Sequence, residues 1–357
     1  MVIADQKPIS VVASIKPIHS LVAAVMGDIG TPHLLLEAPS SAHHFTLKPS
    51  QARSLQAADI VFWVGPTMEQ PLTKALATLA PQAQTMPLIE SAGLVLINFD
   101  KVIPAHEKHD QEKHDHEKHD HEKHDHEKHD HEKHDKHDEH AKHDDHLINP
   151  HIWLDPQNAK IMLGVIAARL AKADPENAST YAANADSMAA RLATLETDIT
   201  SQLASYSAAK FLVLHDAHVY FERRFGLRNY GAITTEPDLM PTASRVKALR
   251  DELRKHHFDC IFTEPFLGQK AVALIAEGSK VSIGTLDPIA SNLPAGAQAL
   301  SRSFDKLCQG TTILFWRALK RRLCDAVRIT GSALICNDHI SRLFSNHDRW
   351  GVGVARH

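Results

Sequence analysis

The chain contains no run of 18 or more apolar residues, which excludes a transmembrane helix of ordinary length. Basic charge is not in excess either. Thirty-nine Lys and Arg against 43 Asp and Glu give a formal net charge of −4. Apart from the last fifty residues, the basic residues are spread along helical stretches rather than gathered beside aromatics, so nucleic acid is not an expected partner. Met1 to Pro8 show no basic region followed by an apolar one, so a signal peptide is expected to be absent or already removed. Cysteine is sparse: Cys260, Cys308, Cys324 and Cys336 all lie in the last hundred residues. With none of them near the N-terminus a lipid anchor is not expected, and the spacing fits no zinc-ribbon pattern. A disulfide between two of the four stays open and would mark an oxidising compartment.

What the chain has in excess is histidine. Of its 27 histidines, fifteen stand between Pro104 and Leu147: His106, His109, His114, His116, His119, His121, His124, His126, His129, His131, His134, His137, His140, His143 and His146. They are set in repeats of His-Glu-Lys-His-Asp. A tract without apolar residues cannot offset the entropy of ordering, so residues 104–147 are expected to form a solvated, mobile loop. Neutral imidazole binds zinc and also suits copper and nickel, and the neighbouring carboxylates add donors. The loop is expected to gather transition-metal ions.

The rest of the chain alternates short apolar runs with amphipathic ones. Its 357 residues suffice for two domains, each with its own core. Strands are expected at 9–14, 34–36, 60–64 and 85–88, with helices at 18–26, 49–58 and 68–79, which describes an α/β lobe. After the tract, a helix is expected from about Gln157 to Ala173, broken by Asp174-Pro175. A longer one, 178–205, places Tyr181, Met188, Leu192, Leu195, Ile199 and Leu203 on one face. It is long enough, at roughly 40 Å, to join two lobes. Strands at 211–214, 260–263 and 281–286, with helices at 219–225, 245–256 and 269–277, make a second α/β lobe. The expected division is therefore 1–177, the joining helix 178–205, 206–310, and a tail 311–357.

Three histidines outside the tract share a setting. His43 and His151 sit in short Pro-flanked loops, and His215 closes a strand. In open α/β sheets ligands collect beyond the carboxyl ends of strands, where all three are expected to lie. Zinc takes about four ligands, so three imidazoles leave one position. Asp287, just past a strand, can fill it; Glu264 and water are the rivals.

These residues occur in a recognisable order. His43 lies in Ser-Ala-His-His-Phe-Thr-Leu-Lys-Pro-Ser, followed by Trp63-Val64-Gly65-Pro66 with Met68-Glu69, and then by the His-rich loop. Asn149-Pro150-His151-Ile152-Trp153-Leu154, His215-Asp216-Ala217 and Thr285-Leu286-Asp287-Pro288 complete it. From about Ile9 to Gly310 the pattern resembles the periplasmic zinc-binding proteins of bacterial ABC importers, the ZnuA type. The resemblance implies two α/β lobes joined by one rigid helix, with the metal in the cleft. It also implies zinc as cargo, a periplasmic monomer, and as partners an inner-membrane permease with its ATPase and a periplasmic metal chaperone. The family's histidine ligands fall on His43, His151 and His215, and its acidic position on Asp287. Some members carry Glu directly before the first ligand; here that residue is Ala42, so water, Asp287 or His44 would substitute. The family's disulfide would pair Cys260 with Cys308, worth roughly 4 kcal/mol in the chain-entropy model. His218 stands where relatives tend to carry an aromatic, and packing is favoured over ligation there. His19, His33, His256 and His257 read as ordinary surface or packing residues.

The resemblance ends near Gly310. Residues 311–357 hold eight Arg or Lys and three Asp or Glu, and Trp316, Leu319, Leu323 and Val327 could line a basic amphipathic helix. The tail is expected to be an added or frame-shifted segment that leaves zinc affinity unaffected. A zinc hydrolase would also use three histidines, with Glu264 as base. The chain has no His-Glu-x-x-His helix and no nucleophile elbow, so no catalysis is expected. Manganese prefers oxygen ligands, so it is the second choice of cargo. A surface adhesin or metal buffer of the same fold is the other alternative.

Overall fold

The computed structural model describes residues 9–37, 41–99, 148–234, 238–265, 267–303 and 306. The expectations for the histidine tract, for Cys308 and for the tail 311–357 therefore lie outside the described residues.

The first lobe is built on a four-stranded parallel sheet. Its strands are β1 (Val11–Ala13), β2 (His33–Leu34), β3 (Ile60–Trp63) and β4 (Gln84–Pro87), in the order β2-β1-β3-β4. The two central strands, β1 and β3, are apolar throughout and buried at every residue, as parallel strands covered on both faces must be. The helices α1 (Lys16–Met26), α2 (Pro49–Gln56) and α3 (Gln70–Leu79) supply the crossovers. Each carries a proline in its first turn, where the missing N–H costs no helical hydrogen bond. α1 stops at Gly27, whose φ of +54° is one that a side chain would resist.

Two helices follow. In α4 (Pro156–Ala173) the Asp155 side chain caps the first turn by accepting from Gln157 N. α5 (Ala178–Leu203), 26 residues long, packs against α4 and α1 and leads into the second lobe. Tyr181, Met188, Leu192, Ile199 and Leu203 are buried along it and Leu195 is partly buried, so the expected face is the one that packs.

The second lobe repeats the plan with β5 (Phe211–Val213), β6 (Gly231–Ala232), β7 (Cys260–Thr263) and β8 (Ser282–Thr285), ordered β6-β5-β7-β8 and again parallel. Its helices are α6 (Val219–Arg224), α7 (Ala243–Lys255) and α8 (Gln269–Ala276). β6 was not anticipated. Gly-Ala carries no β-branched or alternating signal, and the strand is held by neighbouring backbone bonds from Tyr230 N to Phe211 O and from Ile233 N to Val213 O.

In each sheet the chain steps outward on one side of the first strand and then returns to the other. The crossover points lie between β1 and β3 and between β5 and β7, and ligands bind at the carboxyl ends flanking such points. One hydrophobic cluster runs through both lobes, from Val11 and Phe62 through Trp153 to Phe211, Tyr220 and Leu286. Polar stitches reinforce the junction. Arg224 on α6 donates to both oxygens of Asp155, at 2.8 and 2.7 Å, and Tyr220 Oη donates to Asn149 O at 2.7 Å.

Candidate metal centre

The cleft between the carboxyl ends of the two sheets is lined by Ser41, Ala42, His43, Met68, His151, His215, Glu264, Pro265, Leu267, Asp287, Pro288, Ile289 and Ser291. His43 enters from the loop after β2, His151 from the short turn before α4, and His215 from two residues beyond β5. Their ring centroids stand 5.4, 6.0 and 5.1 Å apart for the pairs 43–151, 43–215 and 151–215. Among the described residues each offers one ring nitrogen within 4.8 Å of the other two.

Local structure orients two of these rings. Asn149 Oδ1 accepts from the backbone N–H of His151 at 3.1 Å and from its Nδ1 at 2.9 Å. Glu264 holds the ring of His215, its Oε1 accepting from Nδ1. The pairing Val213↔Phe262 between β5 and β7 accounts for this, since His215 and Glu264 each stand two residues past a paired residue. With both Nδ1 atoms donating, each Nε2 is left as an acceptor. These two acceptors face each other at 3.3 Å. Two lone pairs at that distance repel unless a cation or proton lies between them. For zinc with imidazole nitrogens at about 2.05 Å in a tetrahedral shell, adjacent nitrogens are about 3.3 Å apart. The observed separation matches that spacing.

Electrostatics favour the same state. Burial, then the nearby His215, His43 and His218, hold His151 well below its ordinary pKa. It is therefore neutral without the metal, and loading costs no proton release from this ring.

Asp287 lies on the cleft wall but is outside the tight trio. Its Oδ2 accepts from Ser291 Oγ at 2.8 Å and from Asn292 N at 3.2 Å, while Oδ1 is buried with no hydrogen-bond partner among the described residues. Glu264, a rival for the fourth position, is engaged with His215 instead. His44 is exposed and not on the cleft wall. Ala42 is buried in the wall, so the residue before His43 brings no oxygen. His218 is 2% exposed and not part of the wall. Burial, then His215, push it down to about 3, and both its ring nitrogens lack partners among the described residues. His19 is buried, its Nε2 3.0 Å from Pro32 O; His33, His256 and His257 are exposed, as expected for residues outside the site. Cys260 is fully buried in β7.

Sequence reasoning gave no role to Glu69 or Asn149. Glu69 is fully buried, accepts from Ser14 Oγ, Val64 N and Gly65 N, and is raised by burial to about 7. It pins the loop that brings Met68 to the cleft. Asn149 was legible in principle: an amide two residues before a ligand histidine can reach its Nδ1 within one turn.

A pair of parallel α/β lobes meeting at a cleft lined by three converging imidazoles defines the class: a two-lobed solute-binding protein with a metal-type site. A family model described as "Zinc-uptake complex component A periplasmic" matches residues 11–301. The high-affinity zinc uptake system protein ZnuA of Brucella abortus is 43% identical over 286 residues, covering 80% of this chain and 85% of that protein. Its namesake in Paracoccus denitrificans is 41% identical over 291 residues, covering 80% and 86%. The chain belongs to the ZnuA family. The fold agrees with solved structures, among them a ZnuA crystal structure (TM-score 0.65, 21% identity, 85% of this chain and 99% of that one). Another is the solute-binding protein FpvC of Pseudomonas aeruginosa with Mn2+ (TM-score 0.67, 20% identity, 87% and 100%).

Proposed function

We propose that this chain is a zinc receptor of a bacterial ABC importer, working in the periplasm: it takes up Zn2+ in the cleft and hands it to a membrane permease driven by an ATPase. The observation that carries this reading is the pair of oriented Nε2 atoms, 3.3 Å apart, with His43 completing the trio. His43, His151 and His215 are the imidazole ligands and Asp287 Oδ1 the fourth donor. Three nitrogens and one oxygen favour zinc over manganese, whose preference is for oxygen. No catalytic step is involved: the site binds and releases. The histidine tract collects zinc weakly and raises its supply near the cleft, and Cys260 pairs with Cys308.

X-ray absorption at the zinc edge, recorded with one equivalent of metal, tests the ligand set. The reading expects three imidazoles and one oxygen at about 2.0–2.2 Å. A shell of oxygens, or one or two imidazoles, would remove its basis.

A further inference from the structure

Asp287 belongs to the second lobe by sequence, yet the turn that follows it is held by the first. Lys16, the first residue of α1, is half-buried and its Nζ donates to three carbonyls of that turn. These are Ser291 O at 2.7 Å, Leu293 O at 2.8 Å and Ala290 O at 3.4 Å. Trp153 Nε1 donates to Pro288 O at 2.8 Å from the same lobe as Lys16. The turn is bent: Ala290 has φ of +54° and is buried, a conformation that costs an alanine free energy and persists only when its surroundings impose it. The ammonium draws three carbonyls of the turn together. The consequence reaches the cleft, because the same turn carries the two donors, Ser291 Oγ and Asn292 N, that occupy Asp287 Oδ2. One carboxylate oxygen is thereby engaged, and the other is left buried and without a partner among the described residues.

We propose that Lys16 is a positioning residue for the cargo site: by holding the 290–293 turn against α1, it keeps Ser291 and Asn292 on Asp287 Oδ2, so that Asp287 meets the metal through Oδ1 alone. This rests on the reading of Asp287 as fourth donor. A carboxylate that binds through one oxygen closes the shell at four, the number zinc takes. One released to bind through both oxygens enlarges the shell toward the higher, oxygen-rich coordination that suits manganese. Lys16 is thus a determinant of selectivity that touches neither the metal nor a ligand.

The test is the visible spectrum of the full chain loaded with one equivalent of Co2+, together with competition between Zn2+ and Mn2+. The chain as it stands should give the intense bands of four-coordinate cobalt. Lys16→Met should weaken them toward those of five or six ligands and shift the zinc-to-manganese preference by about tenfold toward manganese, the scale of outer-shell effects on metal sites. Lys16→Arg, which can donate to the same carbonyls, should restore the parent spectrum. Ser291→Ala, which removes only the Oγ contact, should reproduce the Met spectrum and guards against a Lys16→Met chain that fails to fold. If Asp287→Asn alters the cobalt spectrum while Lys16→Met and Ser291→Ala leave it unchanged, the positioning role is overturned and the fourth-donor reading stands. If Asp287→Asn also leaves it unchanged, both fall.

Discussion

Replacing Glu264 should weaken zinc binding through its hold on the His215 ring. The residue is 5% exposed and its carboxylate accepts from His215 Nδ1, which fixes the tautomer that leaves Nε2 free and aims it at His151. Around it, Gln269 Nε2 donates to the Glu264 carbonyl at 2.8 Å and Thr263 Oγ1 to Leu267 O at 2.7 Å, so the residue sits in a turn with little freedom. Removing such an outer partner typically costs 10- to 100-fold in metal affinity, about 1.4–2.7 kcal/mol. Glu264→Ala, which leaves Nδ1 buried without an acceptor, should fall near the upper end. Glu264→Gln keeps an acceptor and loses only the charge, so it should fall near about tenfold. Competition against a chelator of known zinc affinity reads both. Melting of the metal-free variants, measured alongside, separates a reoriented ligand from a damaged fold. If both variants bind zinc as tightly as the parent, His215 is oriented by something else and the argument from the 3.3 Å separation loses a support.

Acid should loosen the metal-free fold through His218. Its folded pKa, about 3, lies below the unfolded value near 6.5, so between the two the unfolded chain binds the proton and the folded chain does not. The stabilising contribution is complete above about pH 6.5 and is lost as pH falls toward the folded value, by about 2 kcal/mol between about pH 6.5 and 4.5. Denaturant melts of His218→Phe should show a correspondingly flatter pH profile than the parent; parallel profiles would refute the assignment. Excising Glu107 to His146 should reduce the number of zinc ions bound while leaving one tight site, and an unchanged stoichiometry by metal analysis would count against a gathering role for the tract.

The alternation of short apolar runs with helical periods placed most strands and helices to within a residue or two, because β1, β3, β5 and β7 are buried runs bounded by turn residues. β6 escaped, since two residues without a pattern become a strand only by lying beside β5. The histidine trio was legible because each member follows a strand or a proline-marked turn, the place where an α/β sheet presents its ligands. What orients the trio was less so. His215 and Glu264 are 49 residues apart and meet through the β5–β7 register, and Lys16 reaches a turn some 275 residues away. Such contacts are made by strand pairing and by packing of the lobes, and no local period records them.

A calorimetric zinc titration of the intact chain, beside one in which His43, His151 and His215 are all replaced by alanine, tests the central claim most directly. The account predicts that the triple variant loses one tight site and keeps several weak ones, which places the receptor site in the cleft and the weak binding elsewhere. Identical titrations would mean that the cleft holds no tight site, and the zinc-receptor reading would fail.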